Sequence, residues 1–487
     1  MIVGVAQTLR RPDPAEATDP VDMMIDALRL AADDSGGSGL LEKADSVRVA
    51  AVLSWRYTDP GAILASRLGI SPKETVVTTT GGNSPQMLLN DTAAAIQRGD
   101  VDVALIAGAE AMYTRFRSRK AKVHLDWEVQ PPDVQPTQVL GDDRPGVSDA
   151  EMARSIMLPI QVYPVFENAL RAAAGESIDE HQQKIAALWS RFSAVAARNP
   201  HAWFGEEKST AEIATVTADN RWIGFPYTKA MNANLDTDQS AALIVCSVEA
   251  ARTAGVAEDK WVFPWSGADA HDHWFVSERE NLHSSPAIRL NGRHALELAG
   301  LGIDDVAHVD LYSCFPSAVQ IGANELGLGL DEPDRPLTVT GGLSFAGGPG
   351  NNYVTHSIAA MVDVLRADPG SYGLCTALGW YITKHAIGIY STEPPPNGFR
   401  NAHPQAEVDA LPRREPVADY DGPVTVDSYT VMHERDGEPA MGLVACLLPD
   451  GHRTWANTNE PGLMKSMTLE EFVGRPGTVT GGQFEAS

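Results

Sequence analysis

Five cations crowd eight residues of an otherwise acidic chain: Arg115, Arg117, Arg119, Lys120 and Lys122. Guanidinium and ammonium groups at that density can hold phosphates. The same run also fits a solvated loop or a surface for another subunit. With a net charge of −26 at pH 7, an anionic ligand would need such a local basic pocket. His271-Asp272-His273-Trp274 offers two imidazoles two residues apart, a chelating pair if extended. No third ligand stands at motif spacing, so no metal is expected and the segment reads as a polar loop. Cys246, Cys314, Cys375 and Cys446 are far apart and form no C-x-x-C pair. A reduced protein without zinc is the simplest reading. Cys375 ends an apolar run, where catalytic groups belong in α/β sheets. Cys246 and Cys446 sit within apolar alternation and read as inert. Ser84 follows Gly81-Gly82 and precedes Pro85. It reads as a helix cap with a first-turn proline, because a serine nucleophile would need its own base.

The elements that must position these groups alternate. Residues 2–6, 46–53, 75–80 and 101–107 read as strands, and 20–32 and 84–97 as helices, with Asp19 capping the first. Residues 113–232 interrupt the pattern with helical stretches at 149–174 and 178–197 and aromatic, proline-containing joints. Residues 236–245 return as a strand. A second round runs strand 261–265, helix 287–298, strand 308–312, helix 316–326, strand 337–340, helix 351–365, then strands 373–377 and 386–390. Such alternation argues α/β sheets with helical layers. Each half carries a threonine-ended strand running into a glycine turn, Thr80-Gly81-Gly82 and Thr340-Gly341-Gly342, a faint duplication. Glu393-Pro394-Pro395-Pro396-Asn397-Gly398 reads as a linker. Beyond it, Val424, Val426 and Tyr429, then Met441, Leu443, Ala445 and Leu447, alternate as strands of a small β-barrel-like domain. The expected division is 1–112 with 233–258 as a first half, 113–232 as an inserted loop domain, 259–397 as a second half and 398–487 as the barrel-like domain.

These landmarks, in this order, resemble the thiolase superfamily over roughly residues 1–392. The nearest likeness is to thiolase-like proteins of the acetyl-CoA acetyltransferase type, related to sterol-carrier-type thiolases. Residues 422–457 resemble the OB-fold domain that accompanies thiolase-like proteins as a separate partner, here fused. The resemblance implies an α/β thiolase fold, two duplicated βαβαβαββ halves in five αβαβα layers.

Residues 78–86 resemble the thiolase nucleophile segment, and Gly108-Ala109-Glu110-Ala111-Met112 resembles its G-G-x-E-S-M stretch. Counting back from Glu110 puts Gly82 at the nucleophilic cysteine. Thiolases set that cysteine at a helix N-terminus, whose dipole and N–H groups stabilise a thiolate that becomes an acyl-enzyme. Glycine cannot do this. Residues 341–350 resemble the loop G-G-x-x-x-x-G-H-P-x-G, with Gly348 in place of the activating histidine. Nucleophile and histidine are lost together. Residues 238–243 look like the family's D-G-A-A-A-L. Asp310-Leu311-Tyr312-Ser313-Cys314-Phe315 resembles the N-E-A-F and H-D-C-F boxes. Cys314 matches the acid/base cysteine of the second box or is a buried small hydrophobe, and Tyr312 replaces the Asn or His. Residues 374–379 resemble the C-x-G loop, with Cys375 as its acid/base cysteine, although Leu378-Gly379 depart from the glycine spacing.

The resemblance implies an acyl-CoA or lipid-like ligand and an acyltransferase scaffold that lacks its nucleophile. Thiolase-like aldolases also lack the cysteine, resemble a Y-D-x-F box and carry a second tyrosine near the histidine position. By that likeness Tyr312 and Tyr353 would shuttle protons in retro-aldol cleavage of a β-hydroxyacyl-CoA, with Cys314 or Cys375 assisting. The alternative is a non-catalytic acyl-CoA or lipid binder or scaffold. The basic cluster opens the region that helps hold CoA in thiolases. Arg115, Arg117, Arg119, Lys120 and Ser344 are therefore the expected CoA contacts, with coenzyme A entering as part of the substrate and no separate cofactor.

A hydrophobic content of 43% with 42 Gly and 32 Pro reads as globular and loop-rich. The charge argues against DNA or an anionic membrane, while an OB-like tail leaves room for a nucleic-acid partner. Met1-Ile2-Val3-Gly4-Val5-Ala6 has no basic n-region and reads as a strand rather than a signal peptide. No apolar run approaches the ~20 residues of a membrane span. A cytoplasmic protein, monomer or homodimer, is expected.

Overall fold

Two sheets flank a pair of central helices in the computed structural model, which describes all 487 residues. The first sheet runs in the order Ile2–Arg10, Asp238–Cys246, Val103–Ala111, Ser46–Val49, Glu74–Thr78, Gln138–Leu140. The second runs Val306–Asp310, Tyr372–Gly379, Lys384–Ser391, Phe263–His271, Arg400–Ala402. In each, two antiparallel pairings are followed by a parallel one, so the duplication suggested by the two glycine turns is real. Val103–Ala111 and Asp238–Cys246 are buried along their whole length, as strands covered on both faces must be. The central layer is Ser84–Arg98 with Tyr353–Ala367, and the outer layers hold Pro20–Ser35 and Pro286–Ala299. This is the expected αβαβα stack.

The helices start where the sequence says they should. Asp19 Oδ1 accepts the Val21 amide at 2.7 Å, and Pro85 and Pro316 stand in first turns. Three local expectations fail for physical reasons. Residues 149–174 split into Asp149–Ala153 and Pro159–Ala174, because Pro159 disfavours helix in the residue before it. Residues 337–340 form no ladder strand. The Asp310 carboxylate takes the amides of Val339 (2.9 Å) and Thr340 (3.2 Å) instead. The Ser84 hydroxyl donates to Thr79 O at 2.9 Å and caps nothing.

Gly422–His433, Pro439–Leu447, Arg453–Thr458, Gln483–Ala486 and Pro476–Thr480 close into a five-stranded barrel, since the first strand pairs with both the second and the last. A hairpin of the inserted region, Trp222–Gly224 with Tyr227–Thr228, extends this sheet at Met432. Asn168 on Pro159–Ala174 donates to Tyr429 O at 2.7 Å, and Arg171 to the Tyr429 hydroxyl at 2.9 Å. The barrel is thereby fastened to the insertion. No helix is long and apolar enough to cross a membrane.

Candidate functional site

The first glycine turn lies between the two sheets and is pinned from three directions. Gly81 N donates to Asn351 Oδ1 at 2.9 Å. Lys384 Nζ donates to Thr80 O (2.8 Å), Asp142 O (2.9 Å) and Thr79 Oγ1 (3.3 Å). Ser84 closes the third side through Thr79 O. Against this turn stands Tyr312, one residue beyond Leu311 at the end of the strand Val306–Asp310. Its amide donates to Thr376 Oγ1 at 2.9 Å, and its hydroxyl hydrogen-bonds no protein group. A β-carbon at Gly82 would lie 2.5 Å from Leu378 O and closer still to the Tyr312 hydroxyl oxygen. The phenol occupies the room a side chain at position 82 would need. Burial pushes its pKa upward, with Cys314 adding to the effect, so at neutral pH it is a proton donor.

Tyr353 stands edge-on to Tyr312, ring centroids 5.5 Å apart. The Tyr353 hydroxyl is taken up by other protein groups. It is 2.6 Å from Thr340 Oγ1 and 3.4 Å from Asp310 Oδ1, and Tyr353 does not line the space behind Tyr312. Asp310 is fully buried and also accepts from Ser357 (2.7 Å) and Thr338 (3.0 Å). Burial raises its pKa despite these donors. Tyr353 is therefore an anchor of the Asp310 network, not a second proton carrier aimed at Gly82.

Both candidate cysteines join the same buried cluster. Burial pushes Cys314 up to about 12. It lies against Tyr163, whose hydroxyl donates to Trp380 O at 2.8 Å. Cys375 is raised well above the ordinary thiol range by burial and then by Asp310, its neighbour across the parallel strand pair. Neither is a thiolate at neutral pH.

The second glycine loop is covered by the insertion. Trp203 N and Phe204 N donate to Ala346 O (2.9 Å) and Phe345 O (2.8 Å). Ser344, 6% exposed, is engaged by Trp189 Nε1 at 3.0 Å and offers no open ligand contact. At Gly348 a β-carbon would sit 3.1 Å from Asn234 O, close enough that this backbone segment would have to give way. Gln239 fills the space beside Gly347 and donates to Ala346 O at 2.9 Å. His356 is buried at 4% exposure, pairs with Gln7 at 3.1 Å, and burial lowers it to about 3.

The cationic run forms the helix Met112–Ala121, directly after the core strand Val103–Ala111. Arg115 donates to Ser54 O and Arg117 lies over the Tyr113 ring at 4.6 Å. Arg119, Lys120 and Lys122 are exposed. Asp238 holds the helix start through Thr114 N at 3.0 Å. Its pKa rises to about 6 through burial. Glu110 accepts Leu53 N and Ser54 N, both at 2.7 Å, and burial raises it to about 7. In the His271 segment the side chains diverge: His271 faces Arg144 at 3.0 Å, while Asp272 turns to His385 at 3.2 Å.

Asp310, Gln239 and Asn351 carry the site's architecture together with Lys384, and no local pattern assigns them that role. Only Lys384 left a signal, a lone cation opening the apolar run 384–391, where burial lowers its pKa to about 8.

The sequence signature of the thiolase-like protein type 1 additional C-terminal domain matches residues 404–482. Across its whole length the chain is similar to a monomeric SCP2-thiolase like protein type 1 from Mycobacterium smegmatis. The identity is 33% and the TM-score 0.84, covering 100% of this chain and 98% of that one. An Ltp2-ChsH2(DUF35) aldolase matches with TM-score 0.60 and 18% identity, over 80% of this chain and 97% of that one. An acetyl-CoA acetyltransferase from Syntrophomonas wolfei matches with TM-score 0.56 and 15% identity, over 80% and 98%. These last two likenesses concern the fold alone. No curated protein is significantly similar in sequence.

Proposed function

The chain belongs to the SCP2-thiolase-like proteins of type 1, and from that membership we propose that it binds an acyl-CoA or related thioester without forming an acyl-enzyme. The observation that carries this reading is the Tyr312 hydroxyl in the space a side chain at Gly82 would need. Covalent transfer requires a nucleophile there, and the buried thiols of Cys314 and Cys375 are not ionised to replace it. Arg115, Arg117, Arg119 and Lys120, on one short helix at the end of a core strand, are the proposed phosphate contacts. Coenzyme A enters as part of the ligand, with no separate cofactor. The protein is proposed to be cytoplasmic and monomeric. The relative from Mycobacterium smegmatis is monomeric, and Gln138–Leu140 covers the sheet edge of Glu74–Thr78.

A second reading is retro-aldol cleavage of a β-hydroxyacyl-CoA. It is favoured by one specific feature, a phenol with no protein acceptor facing the glycine turn. In it Tyr312 acts alone as the acid, because Tyr353 is committed to Thr340 and Asp310.

One sample tests both. Calorimetric titration with CoA and acyl-CoAs is followed by assays of acetoacetyl-CoA thiolysis and of β-hydroxyacyl-CoA cleavage. Binding without thiolysis supports the main reading. Cleavage lost in Tyr312→Phe supports the second. Absence of binding overturns both, and rapid thiolysis overturns the placement of Gly82.

A further inference from the structure

Behind Tyr312 lies a cavity of about 20 Å³, bounded by Asn291, Thr376 and His385 among apolar neighbours such as Ile288 and Leu378. Asn291 is 1% exposed, and neither its amide nitrogen nor its amide oxygen has a hydrogen-bond partner. Buried amides are almost always paired with protein or ordered water, and a space of this size holds about one water. Other polar groups stand ready. Thr376 Oγ1 accepts the Tyr312 amide and keeps its own proton free. The Tyr312 hydroxyl and His385 Nδ1 have no protein partner. His385 is 4% exposed. Its Nε2 faces Asp272 Oδ2 at 3.2 Å and Ser285 Oγ at 3.4 Å, and Asp272 is fixed by Ala287 N at 3.1 Å. His385 also lines an open cleft of about 210 Å³ with Lys384, His271 and His403. It thus lines both the open cleft and the smaller cavity behind Tyr312.

We propose that one ordered water on Asn291 joins His385 to Tyr312, and that the Asp272–His385 pair feeds protons through it to the Tyr312 hydroxyl. The proton feed rests on the retro-aldol reading; the water site does not. In cleavage, the substrate β-hydroxyl loses its proton to solvent as the carbon–carbon bond breaks and its electron pair moves onto the thioester as an enolate. Tyr312 protonates the enolate carbon and becomes a phenolate. The water gives the phenolate a proton and takes one from His385 Nδ1. The imidazole recovers its proton from solvent through the cleft, so the net proton count is zero. Asp272 stays ionised and holds the ring. By this account Asn291 and Asp272 are positioning residues.

Two measurements test it. A high-resolution crystal structure of the unmodified protein should show a water between Asn291 and Tyr312; an empty space overturns the proposal. His385 is also titrated by nitrogen NMR in wild type, Asn291→Leu and Tyr312→Phe, alongside the cleavage assay. The expected result is a shift of about half a pH unit in both variants. With it, kcat should fall about 10-fold or more in Asn291→Leu and in His385→Gln, with KM unchanged. An unmoved His385 titration overturns the water link whatever the turnover. A titration that moves in both variants, when the wild-type protein cleaves no substrate, overturns the proton feed and the aldol reading together, and upholds only the water site.

Discussion

The Tyr312 hydroxyl oxygen and the missing β-carbon of Gly82 compete for one volume. Leu378 O closes the far side at 2.5 Å from that β-carbon position, so the residue cannot simply shift away. Placing a cysteine at position 82 should therefore damage the fold. Gly82→Cys is expected to cost about 1–3 kcal/mol by overpacking. Tyr312→Ala alone is expected to cost about 3–5 kcal/mol by leaving a cavity. The double variant should be more stable than the sum of the two costs by at least about 1 kcal/mol. Urea denaturation of the four proteins measures this coupling, and simple additivity would show that Tyr312 and Gly82 do not share space.

The four thiols, Cys246, Cys314, Cys375 and Cys446, are all buried. Burial moves Cys246 to about 11 and Cys314 to about 12, and Cys375 and Cys446 are raised as well. The native protein should release no chromophore from an aromatic disulfide reagent at pH 8 over minutes. The unfolded chain should release that of all four. Rapid reaction of one thiol in the native state would mark an accessible, ionised cysteine and reopen covalent chemistry.

Much of this could be read from the chain. Pro85 and Pro316 fixed helix starts, because a first-turn proline acts locally. What escaped was tertiary. Asp310 draws the Val339 and Thr340 amides to itself, so residues that alternate like a strand form none. Tyr353 lies close to Gly348 in sequence, but spacing says nothing about where a hydroxyl points, and this one points at Thr340. Lys384 gathers three oxygens from segments more than two hundred residues away, a convergence no local pattern encodes.

Two buried carboxyls should favour the folded state as pH falls from 8 to 5.5, against the opposing pull of His356, which burial lowers to about 3. Glu110 stands at about 7 and Asp238 at about 6, both raised by burial above ordinary carboxyl values. A carboxyl raised in the folded state holds a proton that the unfolded chain has released. Its contribution is complete below the unfolded values and is lost as pH rises through 6 and then 7. Glu110 alone should supply on the order of 2 kcal/mol of this dependence. The stability difference between wild type and Glu110→Gln, followed by urea denaturation, should therefore shift in favour of wild type from pH 8 to 5.5, even though the substitution weakens the fold at every pH. A difference that stays constant with pH would assign the dependence elsewhere.

The two tyrosines should separate cleanly when each loses only its oxygen. Tyr353 Oη is 2.6 Å from Thr340 Oγ1, and both belong to the Asp310 network. Tyr353→Phe leaves a buried threonine hydroxyl and a carboxylate short of one partner, which should cost about 1–3 kcal/mol. Because that hydroxyl faces no ligand space, acyl-CoA affinity should be unchanged. Tyr312 Oη has no protein partner to forfeit, so Tyr312→Phe should be nearly neutral in stability, within about 0.5 kcal/mol. If the protein acts on a β-hydroxyacyl-CoA, its cleavage rate should fall in this variant alone. Denaturation midpoints and acyl-CoA titrations on the two variants decide the matter. Equal stability losses would mean that a protein group holds the Tyr312 hydroxyl after all, and a rate loss in Tyr353→Phe with normal stability would return that residue to the chemistry.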